Sequence, residues 1–347
     1  MDQGVVVAAV GDFMLERRLD PSDIASVRTL FADADLVIAN LDTVVSDRGE
    51  AMPKWANLRG PRELAEDLAE LGIDVAVLAN NHAMDFGAEG LLDMIEALRD
   101  AGVSTVGAGA NLAEATAPLL VERSGRRIAI LAAASTLATG SAAGPDTPGV
   151  APLRAHYSFE IDDSLFAEQP GSVPDVKTWV DEQDLARLCA DLQTARETAD
   201  DVLVITHWGV PTPWRPSAHP VVQAHQIAAG RALIEAGATA VIGNHPHELH
   251  GIELHQERPI AYCLGNFWID TISDFPWMRH ESIALRLTLG TEPQPSVSAR
   301  PLLLDDGGVP RLDTSGQTLA VLNEMSRAFD VCTGEREKDD ARIRLLA

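Results

Sequence analysis

Residues 241–267, VIGNHPHELHGIELHQERPIAYCLGNF, carry the strongest indication of fold and function in this chain. The apolar run at 240–242 is typical of a buried strand, and it ends in glycine. His245 and His247 follow, separated by Pro246, which fixes its own φ and biases His245 towards an extended conformation. Neutral imidazole is the commonest side-chain metal ligand, so this strand end is a candidate metal site. For so short a motif alone, a His-rich surface turn is the alternative interpretation.

Four other apolar runs end in polar side chains of the same chemical kind. The runs are 5–10, 36–39, 73–79 and 202–206, and the residues that follow them are Asp12, Asp42, Asn81 with His82, and His207. Parallel strands that end at one edge of a sheet bring such residues together. A single aspartate after a strand is more often a turn or cap residue. Their repetition predicts one site for a divalent metal (Mn, Fe, Zn, Mg or Ca), with one or two ions.

Apolar runs of strand length alternate with amphipathic segments of helix length, which predicts an α/β fold. The predicted helices cover residues 61–71, about 87–102, 179–199, 220–236 and about 319–328. Residues 138–178 are rich in Gly, Pro, Ser and Asp, so we expect a loop insertion there that covers the cleft. We expect a single domain over residues 1–330 and a solvated C-terminal tail over residues 331–347.

Composition argues against several classes of protein. The chain has 347 residues, of which 46% are hydrophobic, and a formal charge of −25. Such a charge repels nucleic acid and anionic membranes, so we expect neither as a partner. The 3 cysteines are scattered, no apolar run is long enough to cross a bilayer, and the N-terminus lacks the basic region of a signal peptide. We therefore expect a cytoplasmic protein.

Taken together, the motifs resemble those of the CapA-type proteins, which are named for capsular poly-γ-glutamate synthesis and belong to the calcineurin-like metallophosphatase superfamily. The matching residues are Gly11-Asp12, Asn40-Leu41-Asp42, Asn80-Asn81-His82 with Asp85 and Gly87, His207-Trp208-Gly209, Gly243-Asn244-His245-Pro246-His247 and Leu264-Gly265-Asn266-Phe267. The resemblance implies an α/β fold of the four-layer α-β-β-α sandwich kind, with the site at the strand ends. The metal ligands that it implies are Asp12, Asp42, Asn81, His207, His245 and His247, with His82 as the catalytic imidazole.

The sequence departs from the family pattern in two places. The superfamily's phosphatases usually have Asp-x-His at the first motif, where this chain has Asp12-Phe13-Met14, which disfavours ordinary phosphoester hydrolysis. CapA-type proteins usually have Glu where this chain has Asp42, so the carboxylate is set back by about one methylene.

The residues favour a metal-dependent enzyme that acts on a peptide. A metal-bound carbonyl acidifies the adjacent α-proton, and imidazoles can remove and return a proton near neutral pH. Some CapA-like proteins are peptide epimerases, including those of lasso-peptide pathways. Our first hypothesis is therefore L-to-D epimerisation of a residue in a lasso-type peptide, with His82 as base and Asp12 or His250 as its partner.

Aromatic residues near the motifs are expected to bind the substrate. Trp208, Trp214 and Trp268, together with Asn266, are the candidate substrate-binding residues, and Trp277 also lies close in sequence. Core packing is the alternative for each tryptophan, because tryptophan is mostly buried on average.

Three other functions stay open at this point. One is a part in poly-γ-glutamate synthesis, transfer or release, and another is a metal-dependent phosphoesterase. The third is a binding module without catalysis that keeps a relic site.

Overall fold

The computed structural model describes residues 4–169, 171–215, 219, 221–290, 294–337 and 339–345. Within them, the α-helices α1 to α8 are Pro21–Arg28, Leu64–Leu71, Gly87–Asp100, Leu112–Thr116, Asp163–Glu168, Glu182–Arg196, Ala224–Ala236 and Gln317–Ser326. The strands β1 to β22 are Val5–Met14, Leu36–Leu41, Val44–Val45, Arg59–Gly60, Val75–Val77, Ser104–Val106, Ala108–Gly109, Leu119–Arg123, Arg126–Ala134, Gly149–Val150, Ala155–Glu160, Asp175–Val180, Asp201–His207, Ala240–Asn244, Ile252–His255, Arg258–Ala261, Asn266–Ile269, Glu281–Leu289, Ser296–Leu304, Pro310–Leu312, Val331–Glu337 and Asp340–Leu345.

Strand β1 is the centre of the larger sheet. Its β-branched run is buried except at Val6, and β2 lies parallel beside it. On the other side, antiparallel β18 pairs with the first half of β1, and parallel β17 pairs with its last residues. A register shift between Val10 and Asp12 brings Asp12 opposite Asn40 of β2. The strand therefore extends beyond the predicted 5–10 run, and Asp12 lies inside it rather than after it.

The larger sheet has ten strands in the order β21-β22-β19-β18-β1-β2-β5-β6, with β17 on β1 and β20 on β19. The second sheet has six strands in the order β15-β16-β14-β13-β9-β8. Its centre, β13, lies parallel to both β9 and β14, and the register places His207 opposite Asn244. Each sheet thus ends its parallel strands in the polar residues that the sequence singled out.

The two sheets pack face to face through a shared apolar cluster. Val7 and Ile38 of the larger sheet meet Ile130, Ile205 and Ile242 of the second in this cluster. Helices α1, α2 and α3 cover the outer face of the larger sheet, and α6 and α7 cover the outer face of the second. Burying each of these aliphatic side chains contributes roughly 1.5–3 kcal/mol. The mixed α/β class expected from the sequence is confirmed.

Residues 138–178 form more regular structure than the sequence predicted. They contain β10, β11, α5 and most of β12, and β11 pairs with β12 in antiparallel register from Ala155↔Val180 to Glu160↔Asp175. The predicted helix at 179–199 is correspondingly shorter, because Trp179 belongs to β12 and Asp181 caps the helix by accepting from the N–H of Gln183 and Asp184. Local composition resembled a loop because this hairpin is mostly exposed.

The C-terminal residues are also corrected by the structure. The sequence predicted a solvated tail, whereas β21 and β22 form a hairpin that joins the larger sheet through β19. Val331 and Ala341 are fully buried there. The many charged residues of this segment suggested a solvated tail. They alternate with apolar residues in β22, however, so that one face of the strand is apolar and the other is polar.

Candidate metal centre and its cavity

Two carboxylates lie at the ends of neighbouring strands in the larger sheet. Asp12 is fully buried; its Oδ1 accepts from Asn40 Nδ2 at 2.7 Å and its Oδ2 from the His245 N–H at 3.3 Å. The preceding residue must be glycine, because a Cβ on Gly11 would lie 1.8 Å from the Gly265 carbonyl oxygen. The packing of β1 on the 265–266 turn therefore fixes the position of the Asp12 carboxylate.

Asp42 follows β2 and is fully buried, yet neither of its oxygens has a hydrogen-bond partner among the described residues. His207 Nε2 lies 3.7 Å from its Oδ1, beyond hydrogen-bond distance. Burial raises the pKa of Asp42 to about 6, the charge of His82 acts in the opposite direction, and the Asp12 charge raises the pKa further. Burying a carboxylate without hydrogen-bond partners costs free energy unless the group binds a cation. The two oxygens of Asp42 are therefore suited to act as metal ligands.

The second sheet supplies three imidazoles. His207 ends β13, and His245 and His247 follow β14 with φ angles of +103° and +58°. Both lie in the left-handed region, which is strained for residues other than glycine. The extended conformation predicted for His245 from the following proline is therefore wrong, because contacts to Asp12 and His207 hold the turn in a different shape.

The electrostatics of the three imidazoles differ. Burial and the neighbouring histidines hold the pKa of His207 and of His245 well below the usual value, so both are neutral bases. Burial also opposes the charged form of His247, but a hydrogen bond to Asp12 and the charges of Asp12 and Asp42 outweigh it and raise its pKa. Neutral imidazoles beside carboxylates make a ligand set suited to a divalent metal.

The six ligand residues predicted from the sequence come together. Ligand atoms of Asp12, Asp42 and His247 all lie within 4.8 Å of one another. His207 Nε2 lies 2.7 Å from Asn81 Oδ1 and 3.1 Å from His245 Nδ1, which joins the remaining three residues to the group. Oxygen and nitrogen donors without sulfur suit Mn, Fe, Zn or Mg. The metal and its identity stay predictions.

His82 lies beside this cluster in contact with a buried carboxylate. Its Nδ1 is 2.6 Å from Asp85 Oδ2, and Asp85 also accepts from the Leu58 N–H at 2.7 Å. Lys54 forms an ion pair with Asp85 and donates to the Asn81 carbonyl at 2.8 Å. With Nδ1 held by Asp85, Nε2 is the ring nitrogen of His82 that remains for a substrate, as a general acid or base requires.

A cavity of about 380 Å³ opens beside the cluster. Its polar wall consists of Asn81, His82, His245, His247 and Lys54. Its remaining wall is mostly apolar: Met14, Trp55, Ala56, Leu58, Leu137, Ala138, Pro211, Trp214, Phe275, Trp277 and Met278, with Thr136. Apart from Ala138, none of the described residues of 138–178 lines it, so that segment does not cover the cavity.

Several predicted substrate and catalytic residues lie elsewhere. Trp208 is fully buried, and its indole N–H donates to the Tyr262 carbonyl at 2.9 Å. Trp268 packs in the core between the larger sheet and its helices. For these two residues, core packing is the correct interpretation.

Asn266 and His250 also do not line the cavity. Asn266 is buried and holds the loop that carries His247, because its Oδ1 lies 2.9 Å from His247 Nδ1 and its Nδ2 donates to the His247 carbonyl at 3.2 Å. His250 is fully buried, and its Nε2 lies 3.4 Å from Glu248 Oε1. Neither lines the cavity, so Asn266 acts by positioning and His250 is not placed to contact a substrate there.

Sequence reasoning missed Lys54 and Trp55 as cavity residues and gave Asp85 no role. The contact of Asp85 with His82 could have been predicted from their spacing, because Asp85 follows His82 by three residues. The two lie in one turn, in which the Asp85 N–H donates to the His82 carbonyl at 2.9 Å. No such spacing points to Lys54 and Trp55, since they lie in an irregular loop whose position depends on contacts with residues 81 to 85.

Comparisons with known proteins cover the part of the chain that contains these site residues. Residues 6–271 match the family described as "Bacterial capsule synthesis protein PGA_cap". The capsule biosynthesis protein CapA of Bacillus anthracis is 29% identical over 67% of this chain and 48% of its own length. A probable polyglutamine synthesis accessory protein of Mycobacterium tuberculosis is 30% identical over 74% of this chain and 60% of its own length. This chain thus spans about half to three fifths of these two relatives.

Among the solved structures, one example matches this chain over most of the length of both proteins. It is a hypothetical protein from Thermus thermophilus, with 18% identity and a TM-score of 0.43, and the match covers 88% of this chain and 96% of that one.

No helix among the described residues is both long and apolar enough to cross a bilayer.

Proposed function

Because the chain belongs to the PGA_cap family of bacterial capsule synthesis proteins, we propose that it is a metal-dependent enzyme that makes, transfers or releases an amide-linked chain, the class of molecule that includes polyglutamate. The names of the two relatives support this proposal, since one is a capsule biosynthesis protein and the other a probable polyglutamine synthesis accessory protein.

The observation that carries the proposal is the unpaired Asp42 carboxylate within 4.8 Å of Asp12 and His247, beside an open cavity. A divalent cation held there would supply positive charge that stabilises negative charge developing on an amide oxygen. Asp12, Asp42 and His247 would hold the ion, with Asn81, His207 and His245 completing the ligand set. His82 would move a proton at Nε2 while Asp85 fixes its ring.

We extend the proposal to the fold type. Two sheets that share an apolar cluster, with helices on both outer faces, support a four-layer α-β-β-α sandwich of the metallophosphatase kind. Met14 lines the cavity at the place where the superfamily's phosphatases have a histidine. A thioether is a poor ligand for hard divalent ions, so ordinary phosphoester hydrolysis is the less favoured alternative.

Epimerisation in a lasso-type peptide, the first hypothesis from the sequence, has no support from the relatives' names and stays a prediction. The same residues serve both chemistries, because each needs a polarised amide carbonyl and a positioned base. The reaction outcome therefore has to distinguish them.

The test uses the purified full chain, metal analysis, and γ-linked glutamate oligomers with and without one bulky apolar residue in deuterated water, followed by mass spectrometry. We expect about one or two equivalents of bound metal and a change in oligomer length that His82→Gln reduces by about 10²-fold or more. His156→Gln is the matched control, because His156 also pairs with an aspartate, Asp181 at 2.9 Å, but on the exposed hairpin. Bound metal with no change in any oligomer would contradict the proposal, and α-deuterium incorporation with inversion would establish epimerisation instead.

A further inference from the structure

We propose that the aromatic part of the cavity binds a bulky apolar or aromatic side group of the substrate, next to the candidate metal centre. The substrate is then an amide-linked chain that carries such a group beside the reacting bond, and not glutamate alone. This inference rests on the proposed function, because it concerns the same cavity. It narrows the substrate from amide-linked chains in general to those that carry a bulky apolar side group.

Three tryptophans from three separate loops form a continuous aromatic wall. The rings of Trp55 and Trp214 lie 5.7 Å apart at an interplanar angle of 80°, and those of Trp214 and Trp277 lie 5.1 Å apart at 72°. Trp277 in turn lies 5.8 Å from the ring of His247. Edge-to-face contacts of this kind hold the rings in place. The wall therefore runs from solvent to a candidate metal ligand.

Two of these rings are far more exposed than tryptophan usually is. Trp55 is 76% exposed and Trp214 is 53% exposed, whereas Trp208 and Trp268 are buried in the core. An exposed indole forgoes the favourable burial of its apolar area, and clustered exposed apolar groups typically mark a binding surface. A ligand group lying against Trp55 and Trp214 would recover that burial.

The charge of the cavity wall points the same way. Among the described residues that line the cavity, Lys54 is the one lysine or arginine, and it already pairs with Asp85. Glutamate side chains along a homopolymer would have to lie against Trp55, Trp214 and Trp277 without counter-charges. Removing a carboxylate from water without a partner is costly, so this wall favours an apolar group.

The loop that carries Trp55 also carries Lys54, which contacts the Asn81 carbonyl and lies 3.4 Å from His82 Nδ1. A substrate group that packs on Trp55 would therefore lie next to Lys54, which contacts both His82 and Asp85. The aromatic wall and the acid–base pair are parts of one site.

The test compares two peptide probes by isothermal titration against the full chain, after chelation of any bound metal. The probes are acetyl-Gly-Phe-Gly-amide and acetyl-Gly-Glu-Gly-amide. We expect the phenylalanine peptide to bind at least about tenfold more tightly, since ring burial dominates and the glutamate lacks a partner. Trp277→Ala should weaken the phenylalanine peptide about tenfold, and Trp55→Ala, a change at an exposed position that does not threaten folding, should weaken it about threefold or more.

Trp179→Ala is the matched control, because Trp179 is half-exposed on β12 and outside the cavity. It should leave the affinity unchanged. Equal affinity for both peptides, or full affinity in Trp55→Ala and Trp277→Ala, would refute the aromatic wall as a binding site. Because binding is measured without turnover and without metal, its outcome is separate from that of the metal and oligomer assays that test the proposed function.

Discussion

At the scale of single residues, Asp42 is the most informative side chain. It is buried, accepts no hydrogen bond from any described residue, and has its pKa raised to about 6 by burial, with the Asp12 charge as a further cause. Asp12, only a strand away, is equally buried but accepts from Asn40 and from the His245 backbone. One carboxylate is therefore satisfied by protein and the other is not, which marks Asp42 as the residue kept for a ligand.

Asp42→Asn should stabilise the metal-free protein while abolishing metal binding. At pH 7.5 the neutral amide avoids burying an unpaired charge, and we expect a gain of about 1–2 kcal/mol in the free energy of unfolding. The gain should shrink between pH 6 and pH 4, because the folded state holds the Asp42 proton more tightly than the unfolded chain and wild-type stability rises as the pH falls. Urea denaturation across pH measures this. Asp12→Asn is the control and should lose stability, and a loss for both variants would contradict the assignment.

His225 gives a pH dependence of the opposite sign. It is buried at the start of α7, its Nδ1 has no hydrogen-bond partner in the part of the chain that the structure describes, and burial lowers its pKa to about 4. As the pH falls below about 6.5, this histidine is protonated in the unfolded chain but stays neutral in the folded protein. Its contribution to the free energy of unfolding is therefore complete above that pH and is lost as the pH falls towards 4.

We expect wild-type protein to lose on the order of 3 kcal/mol through His225 between pH 6.5 and pH 4. His225→Gln should reduce the slope of unfolding free energy against pH by that amount in urea denaturation, leaving the part due to other buried histidines such as His207 and His245. His255→Gln, at a partly exposed position, should keep the whole slope. An unchanged slope in His225→Gln would show that another group causes the acid sensitivity.

At the scale of elements, the C-terminal hairpin of β21 and β22 depends on two buried arginines. Arg300 lies on β19 and Arg286 on the neighbouring β18, and both pair with Asp340, at 2.7 and 2.9 Å. Asp33, in the turn after α1, pairs with the same arginines at 3.0 and 2.9 Å. The hairpin is thus tied to the larger sheet by charge as well as by its apolar face.

Asp340→Ala should cost about 2 kcal/mol, since it leaves two buried guanidinium groups with Asp33 as their remaining acidic partner among the described residues. Thermal unfolding would measure the loss. Asp339→Ala is the matched control at the adjacent exposed position and should change stability by less than about 0.5 kcal/mol. Equal effects would mean that the hairpin is held by its backbone and apolar contacts alone.

At the scale of the whole molecule, the candidate ligands come from both sheets. Asp12 and Asp42 belong to the larger sheet, whereas His207, His245 and His247 lie at the ends of strands of the second. A bound ion would therefore add a connection between two sheets that already meet through apolar packing and through hydrogen bonds such as the one from the His245 N–H to Asp12. Its effect should extend beyond the site.

Adding Mn²⁺ at about one hundred times its Kd should raise the free energy of unfolding by about 2.7 kcal/mol, because the unfolded chain has no assembled site. Hydrogen exchange should slow at the ends of both β2 and β13. Asp42→Asn should show neither change. Protection confined to one sheet would contradict an ion that joins the two.

The sequence by itself determined which apolar runs form the central strands and the chemistry of the side chains near their ends. Apolar runs that stop at Asp12, Asp42, Asn81, His207 and His245 are local patterns, and the geometry of parallel strands brings such ends together. Only the tertiary structure decided which tryptophans face the cavity and that Lys54 reaches Asp85. It also decided that Asp42 has no hydrogen-bond partner among the described residues, and that β21 and β22 join the larger sheet. These depend on contacts between residues far apart in the chain, where loop position and burial outweigh local composition.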